Sequence, residues 1–408
     1  MPATGETIAR IARESTRRLV AFLAARSGDL AASEDALADA FAVALETWPL
    51  EGLPARPEAW LLTVARRRLI DGHRHGEVRE EAAPALRWLA ENALAEAAES
   101  ETFPDERLKL MFVCAHPAID PAARTPLMLQ AVLGLDAATI AEAFLVKPAA
   151  MGQRLSRAKA KIRDAAIPFE VPASMRLPER LDAVLQAIYA AYGLSRDEVA
   201  GADPGRRELS LAAFELAGLL HRLLPEEPEA AGLLALMMHC EARRPGRQDA
   251  EGNYLPLSEQ DPSRWSREGI WQADRLLARA AEARRLGRFQ LEAAIQSCHS
   301  RRAHGGETDW AAITTFYEAL CRQTRAAGAW VARAAALAQW RGVEEGLRAL
   351  DELPLPVVAD YQAYWALRAH LLRQRDPEAA AEAYRQAMHL CRDAAMREFL
   401  HRRLAELP

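Results

Sequence analysis

The chain has 408 residues, of which 50% are hydrophobic and 27% charged, with a net charge of −5 at neutral pH. Such a composition belongs to a soluble globular protein of on the order of two to four domains, and its negative balance excludes a polyanion binder by bulk charge, so any nucleic-acid surface must be local. Five widely spaced cysteines without a CxxC pair exclude a disulfide framework or a zinc finger and fit a reducing cytosol.

The N-terminal stretch MPATGETIARIARESTRR carries Glu6 and Glu14 and lacks a continuous apolar run, so no signal peptide is expected. No apolar run is long enough to span a bilayer, and a cytoplasmic location with no membrane partner is the expectation. Alanine, leucine, arginine and glutamate dominate throughout. These are strong helix formers, and no period-two, β-branched stretch competes with them. The expected fold is all-α. Proline and glycine clusters at 48–57, 116–121, 167–178, 201–205 and 243–256 punctuate the helices. They suggest a helical block at 1–75, an acidic tether at 76–106, a second small helical block at 107–166 and a long helical region at 179–408.

In the first block, SEDALADAFAVALETW (33–48) reads as a helix that Ser33 caps, with Asp35 and Asp39 one turn apart on its surface and Leu37, Phe41 and Leu45 as a core stripe. AWLLTVARRRLIDGHRH (59–75) follows. Its Trp60, Leu61, Val64 and Ile70 seek the core, while Arg66, Arg67, Arg68 and Arg74, joined by His73, form a basic edge. Two histidines at 73 and 75 without a third ligand are a poor metal set, and Cys114 two residues before His116 reads as a buried thiol beside a turn.

The second block contains LDAATIAEAFLVKPAAMGQRLSRAKAKIRDA (135–165). Asp136 can cap a short helix with Ile140, Ala141 and Phe144 on its apolar face. A tight turn follows, and Pro148 stands where a next helix can dispense with an N–H. Met151, Leu155 and Ile162 face inward on that helix, and no acid occurs between Lys147 and Arg163. Two helices, a short turn and a uniformly basic second helix describe a helix-turn-helix. Gln153 is placed to pair with a base edge, Arg154 and Arg157 with bases or phosphates, and Lys147 and Lys161 belong to the same basic face. Lys159 lies further along the helix and reads as solvated.

The two blocks resemble the two conserved domains of an extracytoplasmic-function (ECF) sigma factor of bacterial RNA polymerase. SEDALADAFAVALETW resembles the helix that docks on the polymerase β′ subunit, PEAWLLTVARRRLIDGHRH the helix that engages and melts the −10 element, and residues 105–165 the −35-reading domain. The resemblance implies that Asp35, Asp39 and Phe41 face core RNA polymerase. It also implies that the arginine edge and the loop Pro49–Arg56 meet melted promoter DNA, and that the helix-turn-helix meets duplex DNA. EQDPSRW (259–265), FQLEAAIQSCH (289–299), TDWAAITTFYEAL (308–320) and GLRALDEL (346–353) resemble an ECF subgroup with a fused C-terminal TPR-like region. There the positions Trp330, Ala334, Leu337, Gly346, Leu350 and Leu353 are echoed by Tyr364, Arg368, Leu371, Ala380, Tyr384 and Ala387 at an offset of 34 residues, the tetratricopeptide period. This chain departs from the subgroup where YGLSR (192–196) replaces a polar FNEGY stretch, and at Ala212, Gly218 and Ala332. The resemblance implies regulation through that region, by a regulatory protein or by an intramolecular contact.

No phosphate loop, nucleophile–base order or paired-carboxylate pattern is present, so no enzyme, catalytic residue, metal or cofactor is expected. Two rival readings remain at this level: a stand-alone helix-turn-helix regulator with a TPR sensor, and a TPR scaffold whose N-terminal blocks bind no DNA.

Overall fold

A computed structural model describes residues 2–75, 105–144, 146–172, 177–196, 204–324, 326–391 and 393–408. The tether read at 76–106 lies outside them except for Asp105 and Glu106. The fold is all-α, as the composition implies. Among the described residues there is no strand, and only an isolated antiparallel bridge joins Gln248 and Tyr254. The chain divides into two compact units, Met1–Ala191 and Tyr192–Pro408.

The first unit opens with α1 (Pro2–Ser27). Its Ile8, Ile11, Ser15, Leu19, Phe22 and Leu23 are buried, a three-and-four spacing that puts them along one stripe. Gly28, at φ +71, turns the chain into α2 (Leu30–Glu51). The cap of α2 is Asp29, whose carboxylate accepts the Ala32 N–H at 3.0 Å, and Ser33 is not the cap. Ser33 is buried one turn in, its hydroxyl donating to the Asp29 carbonyl at 2.7 Å. The core stripe also differs from the expected one. Ala36, Leu37, Ala40, Ala44 and Trp48 are buried, Phe41 is half-buried, and Leu45 is 56% exposed. Small alanines let α2 approach α1 and α3 closely, so the stripe follows the alanines rather than the larger side chains.

The helix α3 (Pro57–His75) packs on both α1 and α2. Trp60 meets Trp48 edge-on at 5.3 Å, and Arg18 of α1 grips Glu58 through both carboxylate oxygens, at 2.7 and 2.9 Å.

Then come α4 (Arg107–Cys114), almost wholly buried, and α5 (Pro121–Met128), capped by Asp120 and running into a wider turn at Leu129–Leu133 that Gly134 ends at φ +87. The short α6 (Ala137–Ala143) is capped by Asp136, which accepts the Ala138 and Thr139 N–H groups at 2.9 Å each. Pro148 opens α7 (Pro148–Asp164), whose Met151, Leu155, Ala158 and Ile162 are buried. The three larger side chains of that stripe contribute about 1.5–3 kcal/mol each.

Proline punctuation places a boundary at 167–178, yet α8 (Leu177–Arg196) begins as part of the first unit. Arg180 donates to the Phe112 carbonyl at 2.7 Å and Thr125 to the Ala187 carbonyl at 3.1 Å. These bonds tie α8 to α4 and α5, and the division falls inside it, between Ala191 and Tyr192.

The second unit comprises α9 (Pro204–Leu223), α10 (Pro228–Ala242), α11 (Arg267–Glu282), α12 (Arg288–Ser300), α13 (Trp310–Gln323), α14 (Ala327–Arg341), α15 (Val343–Asp351), the single turn α16 (Leu355–Val358), α17 (Gln362–Leu372), α18 (Pro377–Leu390) and α19 (Ala394–Ala405). Apart from Leu353, which lies just past α15, the echoed positions fall in two helix pairs, α14 with α15 and α17 with α18. In the first pair, Gly346 lets the helices touch. A Cβ there would sit 2.5 Å from the Ala338 Cβ. The echo of Gly346 is Ala380, fully buried. The irregular stretch 243–266 is fastened by Arg302, which donates to the Leu257 and Gln260 carbonyls at 2.7 and 2.9 Å. The same stretch meets α19 through Tyr254 on Phe399, 5.5 Å between rings, and a Glu259–Arg403 ion pair.

Candidate nucleic-acid interface

The outward side of α2 is acidic. Asp35 and Asp39 are both exposed, one turn apart. Asp39 lies 3.9 Å from the Arg68 Nε of α3, with 61% and 54% of the two side chains exposed. Solvent screens such a pair to about 0–1 kcal/mol, leaving both groups open to exchange partners. Phe41 sits half in the core beside them.

The basic edge of α3 is narrower than the run of arginines suggests. Arg67 and Arg68 are exposed, but Arg66 is only 9% exposed, with its guanidinium carbon 5.4 Å from the centre of the Phe22 ring. Position 66 is one turn after the buried Leu62 and next to the buried Ala65, so helix rotation carries it inward with them. Arg66 therefore leaves the proposed DNA face and becomes part of the α1–α3 packing. The side chains of His73 and Arg74 lie outside the described residues.

On α7 the basic residues separate by angle. Gln153, Arg157 and Lys161 are exposed at successive turns, Arg154 is half-buried beside them, and Lys147 is exposed at the residue before the helix. Gln153, Arg154, Arg157 and Lys161 line a groove of about 490 Å³ with Asp120 and Ala123 of the preceding turn and α5. No side chain caps the N-terminus of α7, whose first N–H groups and positive dipole end suit a phosphate.

Lys159 is not solvated. Its Nζ is 2.5 Å from Glu34 Oε2 of α2, with the side chains 14% and 20% exposed, and Arg17 of α1 approaches the other Glu34 oxygen at 3.8 Å. Sequence reasoning passes over Glu34. Its only signal is that it heads an acidic helix, and its partner is 125 residues away. Cys114 lies fully buried near this pair, and burial first, then Glu34, pushes its thiol well above the usual range.

The second unit holds a buried polar network. His239 is fully buried, Nε2 lies 3.3 Å from Asp274 Oδ1 and Nδ1 lies 3.4 Å from Ser300 Oγ. Burial lowers the His239 pKa and keeps the ring neutral. Burial raises the Asp274 pKa, but hydrogen bonds from His239 and Ser297 more than offset it and leave it low. Ser300 itself is sealed and donates to the Gln296 carbonyl at 2.9 Å, so this trio has no exposed nucleophile. A separate cavity of about 800 Å³ is lined by Arg243, Arg247, Gln260 and Gln296 together with Asp360 and Asp393. Among the described residues no group of three or more His, Cys, Asp or Glu is placed to hold a metal ion, and no helix is long and apolar enough to cross a membrane.

Residues 11–78 match the family model for sigma-70 region 2, and residues 180–281 match a family of unknown function, DUF6596. The chain is 36% identical over 388 residues to uncharacterized protein R00370 of Rhizobium meliloti (strain 1021), covering 94% of this chain and 91% of that protein. No solved structure matches it.

Proposed function

Because this chain belongs to the sigma-70 family, and to one family with the R00370 protein along nearly its whole length, we propose that it is an ECF-type sigma factor regulated by its own C-terminal helical extension. A sigma-70 region 2 gives it a role in transcription initiation with core RNA polymerase and promoter DNA. In the finer reading, Asp35 and Asp39 of α2 dock on polymerase with Phe41 at their margin. Arg67 and Arg68 of α3, with His73 and Arg74, hold the melted −10 strand beside the segment 49–56, whose first three residues are the end of α2 rather than loop. Lys147, Gln153, Arg154, Arg157 and Lys161 read the −35 duplex. No step needs bond-breaking by the protein; strand opening draws on binding energy.

The observation that carries this reading is the coincidence of the region 2 match with an exposed acidic helix face and an exposed arginine edge on consecutive helices. Arginines of such an edge neutralise phosphates, while carboxylates repel them and suit a protein partner. The TPR-like extension is the regulatory part in this reading. The cavity lined by Arg243 and Gln260, both buried, gives it room for an effector.

Reconstitution with core polymerase on the gene's own upstream region tests the reading. Polymerase-dependent initiation is expected. Sequence-specific binding without polymerase and without initiation would instead mark a stand-alone regulator, and absence of both would mark a scaffold. For regulation, a chain ending at Arg196 retains α8 and its bonds to α4 and α5. Unchanged initiation by that chain at equal protein level would overturn a regulatory extension.

A further inference from the structure

In the second unit, α11 turns a basic and aromatic side to water. Ile270, Ala273 and Ala280 seat the helix on its neighbours. On the other side Arg267, Trp271, Arg275 and Arg279 follow at every fourth position, and all four are exposed. Arg264 stands exposed just before the helix and Arg284 just after it. At a rise of about 1.5 Å per residue, successive groups of the stripe stand roughly 6 Å apart along the axis. Trp271 is 49% exposed, and the Arg275 guanidinium carbon lies 4.6 Å from the centre of its ring.

These arginines differ from others of the unit. Arg288, Arg333, Arg348 and Arg385 are held by the carboxylates of Glu292, Glu318, Glu345 and Glu382. Among the described residues, Arg264, Arg267, Arg275, Arg279 and Arg284 form no ion pair. The acids of α11 lie away from the middle of the stripe. Glu268 and Glu282 are exposed near its two ends, Glu268 accepting the Gln272 Nε2–H at 2.6 Å. Asp274 is turned inward to His239 and Ser297. From Trp271 to Arg279 the outward side thus presents an indole and two cations without an exposed acid. Like charges one turn apart destabilise a helix slightly, and a half-exposed indole forgoes burial. A polyanionic partner with flat apolar groups offsets both costs.

We propose that this side of α11 binds single-stranded nucleic acid, with Arg267, Arg275 and Arg279 on successive phosphates and Trp271 stacked on an unpaired base. Arginines along a helix neutralise a phosphate backbone, and an indole stacks on any base once the base is free of its duplex partner. A protein partner fits the surface less well. A tryptophan anchor in a protein interface sits among contacts that exclude water, whereas the exposed neighbours of Trp271 on α11 are Arg267, Gln272, Arg275 and Ala278. The contact is independent of base sequence, since no group of the stripe is fixed against a base edge. It lies in the second unit and stands whether or not the first unit acts as a sigma factor.

Binding of short oligothymidine and oligouridine to the full-length protein, followed by fluorescence anisotropy at several salt concentrations, tests it; the two probes separate a DNA from an RNA ligand. Trp271→Ala should weaken binding by about fivefold or more. Arg275→Glu with Arg279→Glu should lower the salt slope by roughly 1.4, about 0.7 for each phosphate released. Arg348→Glu with Arg385→Glu makes the same change in net charge at side chains that are 65% and 60% exposed and should leave the slope as it is. Ultraviolet cross-linking of the unaltered protein to either probe should label the peptide that holds Trp271, and this decides the matter should a variant fold poorly. Labelling confined to the first unit, or equal slopes in the two charge variants, overturns the site. So does a loss of core polymerase binding in the α11 variants with nucleic-acid affinity unchanged, which would mark the face as a protein contact.

Discussion

Arg66, Arg67 and Arg68 are chemically identical neighbours with opposite assignments. The Arg66 side chain lies over the Phe22 ring inside the α1–α3 packing, while Arg67 and Arg68 face water. Replacing Arg66 by Ala should lower stability by about 1–3 kcal/mol, measured by urea denaturation, because it removes both packing and the cation–ring attraction. Replacing Arg67 and Arg68 together should leave stability within about 0.5 kcal/mol. That pair should instead weaken promoter binding and flatten its salt dependence by about 0.7–0.9 for each phosphate no longer neutralised, read from affinities at several salt concentrations. His299 offers a second residue-level test. Burial first, then Arg243 and Arg302, lowers its pKa to about 3. The unfolded ring titrates near its ordinary 6.5, so the unfolded state binds the extra proton first as the pH falls. The stability from His299 is full above pH 6.5 and is lost progressively between 6.5 and about 3. Denaturation midpoints followed by fluorescence of Trp310, whose ring meets His299 at 5.3 Å, should fall across that window. The fall should be shallower in His299→Gln, and an equal slope in the two proteins would refute the assignment.

The helices show which local signals survive packing. Caps and periodicity place α6 and α7 correctly: Asp136 caps, Pro148 opens, and Met151, Leu155 and Ile162 are buried as their spacing demands. On α2 the same logic misplaces the cap and half of the stripe. Asp29 lies four residues before Ser33 and its carboxylate accepts the Ala32 N–H in the first turn. The alanine face, invisible to a search for large apolar residues, is what meets α1 and α3. Small residues do comparable work on α15, where Gly346 sits against Ala338. Gly346→Ala should cost about 1–3 kcal/mol by overpacking even though alanine is the better helix former; thermal melting of the variant checks the sign.

The division at Ala191 separates two bodies with their own cores. Calorimetric unfolding is expected to depart from a single two-state transition, with a van't Hoff enthalpy below the calorimetric one. Asp29→Ala should move only the transition of the first unit, by about 1 kcal/mol for the missing cap, and Gly346→Ala only that of the second. One coincident transition shifted equally by both substitutions would show that the bodies unfold together. The single charge of −5 for the whole chain hides local patches such as the exposed Arg67 and Arg68 of α3 and the exposed Arg157 and Lys161 of α7.

Much was legible in the order of residues: the all-α class, the short helix followed by a basic helix at 137–164, the acidic and basic helices of the first block, and a 34-residue echo most of whose positions fall in two helix pairs. These rest on caps, turns and periodicity, which act within a few residues and survive in any context. The assignment of one arginine to the core and its neighbours to water could not be read the same way. Nor could the burial of Lys159 on Glu34, or the place of α8 with the first unit. Each depends on how a helix is rotated against a partner distant in sequence, and alternatives differing by a fraction of a turn have nearly the same local energy. Only the sum of long-range packing and desolvation chooses among them.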